Sequence, residues 1–195
     1  MKKTKEAVRI LLKLYPTPAD AAVLEEASEL SKKAVEWYLE KAAEEKTMNR
    51  VVLLKKYYDE FRFRFNISAA QVQSYASLAG FLSREKRQEI LDPYRDKNII
   101  ALTQKGFSFE NGITLSFVAL SNRERLQIPV LVSSYKPANF LSQSWMRSWK
   151  KNPFKKSVLF IYKEKDNHWY AEWFLPMPQS DEFRKELPAE FSRLR

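Results

Sequence analysis

Glu6-Ala7-Val8-Arg9-Ile10-Leu11-Leu12-Lys13-Leu14-Tyr15 is the stretch whose reading decides the fold. Val8, Ile10, Leu12 and Leu14 fall on one side of an extended chain, and Arg9 and Lys13 on the other, which predicts a half-buried β-strand over residues 6–15. Nothing close in sequence can cover its apolar side, because Tyr15-Pro16-Thr17-Pro18 breaks the strand and a helix follows. Thr17 suits the N-cap, Pro18 the first helical position, and Asp20 the first turn, where a carboxylate meets unpaired N–H groups. The strand must therefore find its partners far along the chain.

Three helices are predicted next. Leu24, Ala27, Leu30, Ala34, Trp37 and Tyr38 make an apolar stripe on a helix running to about Glu45. Val51, Leu54, Tyr58, Phe61 and Phe65 form the stripe of a second helix over 48–65, ended by Asn66. Ser68 with Gln71 reads as a capping box for a third, whose apolar face is Val72, Tyr75, Ala76, Ala79 and Leu82. Pro93 closes this region after the charged run 83–89.

From Lys105 the period becomes two. Phe107 and Phe109 lead through Asn111-Gly112, a hairpin signal, to Ile113, Leu115 and Phe117. Leu126, Ile128 and Val130 alternate in another strand, where Pro129 predicts an edge or a bulge. Val158–Tyr162 and Trp169–Leu175 make a last hairpin, stopped by Pro176 and Pro178. The fold class expected is α+β: an antiparallel OB-like β-barrel interrupted by a helical subdomain inserted after the first strand. Residues 1–17 and 101–178 would form the barrel and 18–100 the helical lobe. Residues 179–195 would be a charged tail, as short helix or fraying end.

Between the last two strand regions lies Tyr135–Lys156, YKPANFLSQSWMRSWKKNPFKK, with no Asp or Glu. Lys136, Arg147, Lys150, Lys151, Lys155 and Lys156 are its cations; Trp145 and Trp149 are its stacking candidates, beside Tyr135, Phe140 and Phe154. Cations neutralise phosphates and release counterions, and exposed aromatic faces stack on bases. The segment as a whole therefore points to nucleic acid, although its aromatics taken alone suit a core better. On the second helix Arg50, Lys55, Arg62 and Arg64 could track a duplex backbone. Composition agrees: 34 Lys plus Arg against 24 Asp plus Glu give a net charge of +10 and a pI near 9.6, favouring a polyanionic partner. With 45% hydrophobic residues the chain has material for a core.

Zero cysteines exclude disulfides, Cys-based zinc and thiol nucleophiles. His168, the single histidine, reads as a turn-flanking surface residue, and Glu25-Glu26 and Glu44-Glu45 as solvated helix faces. No nucleophile elbow, Walker loop or dinucleotide fingerprint is present, so no cofactor, metal or catalytic residue is expected. No apolar run reaches bilayer length and no signal-peptide core follows Met1, so the expected setting is cytoplasmic, with no membrane partner.

The order of these pieces resembles the TnpB family, the OrfB-type RNA-guided nucleases of insertion sequences related to compact type V CRISPR effectors. The resemblance starts at Leu14-Tyr15-Pro16-Thr17-Pro18 and the helix opening Ala19-Asp20-Ala21-Ala22-Val23-Leu24. It continues through Leu30–Ala42, where the family's Asn is replaced by Trp37-Tyr38, and through Ser74-Tyr75-Ala76-Ser77-Leu78. It ends with Lys155–Lys163 and His168-Trp169-Tyr170-Ala171. It covers about residues 6–178 and implies a wedge barrel plus recognition lobe, with structured guide RNA and target DNA as partners. The family's RuvC-like part opens with a strand bearing a catalytic Asp and later supplies further carboxylates and a Cys-based zinc module. Here Pro176-Met177-Pro178-Gln179-Ser180-Asp181 leads only to Arg195. Two-metal cleavage needs carboxylates converging from separate strands, so the chain is expected not to cleave alone. A separately encoded RuvC-like half would be a further partner. The rival reading is a protein–protein interaction module with a basic surface.

Overall fold

The computed structural model describes residues 7–83, 97–103, 106–110, 114–121, 125–132, 158–176 and 193–194. Strand β1 (Ala7–Leu14) is followed by helices α1 (Pro18–Glu44), α2 (Arg50–Arg64) and α3 (Ala69–Leu82). Then come β2 (Ile100–Thr103), β3 (Phe107–Glu110), β4 (Thr114–Phe117), β5 (Leu126–Val132), β6 (Val158–Lys163), β7 (Trp169–Pro176) and β8 (Arg193–Leu194). The strands run in the order β2-β6-β7-β1-β5-β4-β3, all antiparallel, with β8 added beside β1. This is an α+β protein built on a nearly closed antiparallel barrel whose first strand precedes a helical insertion.

β1 is the strand that assembles the barrel. Along its whole length it pairs with β7, from Ala7 opposite Pro176 to Leu14 opposite Trp169. On its other side its end pairs with β5 and its start with β8, so Arg193–Leu194 lies on the sheet. Leu12 and Leu14 are buried with Leu115, Phe117, Ile128, Leu159, Ile161 and Trp173 in one core. Trp173 reaches across to β3, its ring 5.9 Å from Phe107 and 5.1 Å from Phe109. Those ring pairs bring β3, the far end of the strand order, against the wall that holds β7.

Pro129 sits where β5 changes partner. Residues 126–129 pair with β4, and 130–132 pair with β1. The Pro129 carbonyl accepts from the Tyr15 N–H at 3.0 Å. The reciprocal bond would need an N–H that proline lacks. It falls just past the end of β1, where no further ladder bond is required. In place of the expected edge or bulge, Pro129 lies in an interior strand at the point where its partner changes.

β2 was absent from the sequence expectation, which assigned residue 100 to the helical lobe. Ile99 to Leu102 are buried on both faces, and a strand covered on both sides shows no alternation. Ile100 and Leu102 face the barrel core; Ile99 and Ala101 pack with Phe160 and Tyr162 against the helices. The helices therefore lie on the outside of β2 and β6, and α1 also sends Leu24 and Ala27 into the barrel core. Buried polar links fix the insertion to the barrel. The Ser31 hydroxyl donates to the Ile99 carbonyl at 2.5 Å, the Gln71 amide to the Ala119 carbonyl at 2.8 Å, and the Thr103 N–H to the Ser74 hydroxyl at 3.3 Å.

Local sequence explains the helix limits. Thr17 and Asp20 form a capping box with Pro18 at the start of α1, and Ser68 and Gln71 form one for α3. α1 and α2 end in Schellman turns, with Lys46 and Asn66 at φ 50° and 48°. In the second, the Ile67 N–H reaches the Arg62 carbonyl and the Asn66 N–H the Phe63 carbonyl. The predicted stripe of α2 needs one correction. Val51 is 74% exposed, and the buried residues are Leu53 and Phe61. Trp37 sets this rotation: Phe61 stacks on it at 5.1 Å, while Tyr57 and Phe65 meet its edges at 6.1 and 5.9 Å. Residues 57, 61 and 65 recur every fourth position, so one turn of the helix after another presents a ring to the indole.

Candidate nucleic-acid interface

The interface predicted from sequence divides into two parts. Lys136, Trp145, Arg147, Trp149, Lys150, Lys151, Lys155 and Lys156 lie outside the described residues. The fold defines where their segment is rooted: residues 133–157 join the end of β5 to the start of β6. β5 and β6 are not neighbours, since β1 and β7 stand between them. The two roots are therefore three strand steps apart across the sheet. The segment thus starts and ends on strands of the barrel wall.

The other four residues are on α2. At about 100° per residue, Lys55 and Arg62 share one flank and Arg50 and Arg64 the opposite flank, with Asp59 and Glu60 on the surface between. A single stripe of four cations is not formed. The Arg50 guanidinium donates to the Ser77 hydroxyl at 2.7 Å, tying that side chain to α3. The Arg64 guanidinium lies over the Phe65 ring at 5.9 Å. Lys55 and Arg62 are exposed and make no ion pair among the described residues. They are the pair best placed to meet a phosphate backbone from this helix.

Charge is segregated between the helices. α1 carries seven carboxylates against three lysines, whereas α2 has five cations against two carboxylates. A polyanion would be repelled from the α1 surface and accepted elsewhere. Some carboxylates at the α1 surface are anchored. Glu45, expected to be a solvated face, accepts from Lys56 at 2.5 Å and from the Tyr57 hydroxyl at 2.7 Å, which locks the α1–α2 turn. These bonds hold the Glu45 carboxyl below its usual range, the Lys56 bond being the larger cause. Glu25 pairs with Lys163 at 2.6 Å across to β6.

His168 stands exposed in the β6–β7 turn, where its backbone N–H donates to the Asp166 carboxylate at 3.0 Å and Asn167 adopts φ 66°. Its place is a turn, as the sequence indicated. Among the described residues no group of three His, Cys, Asp or Glu is arranged to hold a metal ion, and no helix is long and apolar enough to cross a membrane.

Sequence reasoning passed over the outer face of the barrel where β1 ends. Tyr15 is 46% exposed there and Leu131 50%. The Lys13 ammonium lies 5.8 Å from the Tyr15 ring centre. The signal was present in the alternation, because the residues between the inward leucines must face out. Comparison with models of known protein families and with curated proteins finds no match.

Proposed function

We propose that this chain is a non-catalytic nucleic-acid-binding protein, in which the barrel presents the 133–157 connection to a phosphate backbone and the helical insertion contributes Lys55 and Arg62. One observation carries the reading. Apart from the helical insertion itself, the longest connection between consecutive strands holds six cations and five aromatics without a carboxylate, and the topology ties both its ends into the barrel wall. Small antiparallel OB-type barrels bind oligonucleotides through a sheet face and the loops beside it, and this arrangement follows that logic. In its narrower form the proposal takes the ligand to be a structured guide RNA with its target DNA, and the chain to correspond to the nuclease-free half of a TnpB-like protein. That form rests on the order of strand, helical insertion and barrel. The chain could then be a truncated remnant, a domesticated binder or half of a split enzyme.

A salt series tests the general form. Anisotropy of a labelled structured RNA, titrated with the whole chain at several salt concentrations, should give log K falling linearly with log salt. Binding that ignores salt would count against it. Salt-insensitive association with a protein would instead favour the interaction-module reading. The apolar residues on the outside of α2 speak for that alternative, Val51 being 74% and Phe63 77% exposed.

A further inference from the structure

The register of the barrel places a row of residues across its outer face, one from each of four adjacent strands. Tyr162 on β6 is opposite Tyr170 on β7, Tyr170 is opposite Lys13 on β1, and Lys13 is opposite Leu131 on β5. The Tyr162 and Tyr170 rings are near parallel, at 27° and 6.5 Å between centres. Lys97 caps the buried end of the row, its ammonium 4.3 Å from the Tyr162 ring centre. The row grades from Tyr162, 3% exposed, to Leu131, half exposed, with Tyr15 next to its open end. Tyr15 lies near Tyr170. The Tyr170 phenol is held above the ordinary tyrosine value chiefly by its hydrogen bond to Asp166, and the Tyr15 phenol adds to that effect.

We infer that this face is a stacking site for single-stranded nucleic acid, with the Tyr15 ring as the platform for one base and the Lys13 ammonium as the partner of an adjacent phosphate. The inference rests on the nucleic-acid reading above and assigns it a place on the described surface. Three observations choose this occupant over a protein. The exposed elements are an aromatic ring and a cation side by side, the pair that holds a base and its phosphate together. Lys13 is engaged by no carboxylate among the described residues, so its charge is available. Leu131 lies one residue before the end of β5, from which the sequence continues into the carboxylate-free basic segment. Aromatic stacking is tolerant of sequence because every base offers a π-face. The site would therefore accept any unpaired strand and discriminate against a duplex, whose bases are already stacked.

The test compares Tyr15→Ala, Tyr15→Trp and the wild-type whole chain for binding a labelled single-stranded 12-mer of deoxythymidine and a duplex of equal length. Tyr15→Ala should weaken single-strand binding about tenfold, the effect of removing one base–aromatic stack. The salt slope should stay unchanged, because the substitution removes no charge. Tyr15→Trp should bind as well as wild type or better, and duplex binding should be the same for all three. If Tyr15→Ala bound the 12-mer like wild type while that binding remained salt-dependent, this site would be wrong and the general nucleic-acid reading would stand. If wild type bound neither probe, both would fall. If Tyr15→Ala lowered the melting temperature as a core truncation does and Tyr15→Trp did not restore binding, the ring would be structural and the inference overturned.

Discussion

Tyr75 shows what this core does to a single group. It is fully buried between α1, α3 and the barrel, and burial pushes its phenol up to about 12. Gln71 and Ser31 ease the shift, but neither makes a well-formed hydrogen bond to the hydroxyl. The consequence has a definite sign. Below pH 10 the phenol is protonated in folded and unfolded chains alike, and its contribution is fully present. Above pH 10 the unfolded chain ionises and the folded one does not, so stability falls until about pH 12, by a total of about 2–3 kcal/mol. Urea unfolding from pH 8 to 12 should show a steeper alkaline loss for wild type than for Tyr75→Phe. Parallel curves would contradict the burial of an ionisable phenol here. At this scale the sequence was informative where one residue has one chemical duty. Thr17, Asp20, Ser68, Gln71 and Asn66 all cap or end helices as their side chains suggested. It was less informative for Tyr15, which reads as the end of a strand and whose exposure depends on what packs against the outside of the barrel.

Elements were legible in proportion to how one-sided their burial is. β3 and β5 alternate because one face meets the core and the other meets water. β2 meets the core on one face and helices on the other, so Ile99-Ile100-Ala101-Leu102 gives no period to read. α2 was placed correctly, and Leu54, Tyr58, Phe61 and Phe65 of its expected stripe pack on the core while Val51 does not, because the rotation of the helix is set by the Trp37 indole, on which Phe61 stacks. That rotation is testable. Leu53→Ala should cost about 2–5 kcal/mol in chemical denaturation, as a truncation in a packed core does. Val51→Ala should stay within about 0.5 kcal/mol of wild type, as a surface change does. A large cost at Val51 with none at Leu53 would restore the stripe expected from the sequence and contradict the packing seen around Trp37.

For the whole molecule, what β1 lacks decides the topology: it has no partner nearby. An apolar strand face isolated before three helices has to close on strands more than a hundred residues later, and β1 does so against β5 and β7. The same long-range closure fixes the roots of the 133–157 connection, which local patterns could not do. Sequence alone identified that connection as basic and aromatic, while only topology shows that it leaves the wall one strand from β1 and returns two strands away on the other side. The barrel that roots it is braced by the helical insertion, which is bonded to it through Ser31, Gln71 and Ser74.

The central claim is that this connection holds phosphates, and one measurement addresses it most directly. Lys150, Lys151, Lys155 and Lys156 are changed together to Ala in the whole chain, and affinity for a structured RNA is measured across a salt series beside wild type. Circular dichroism on the same samples confirms that the barrel is intact. The account predicts weaker binding at every salt concentration and a flatter dependence of log K on log salt. The slope should fall by up to about 0.7–0.9 for each phosphate that the variant no longer neutralises. A folded quadruple variant with unchanged affinity and an unchanged salt slope would contradict it.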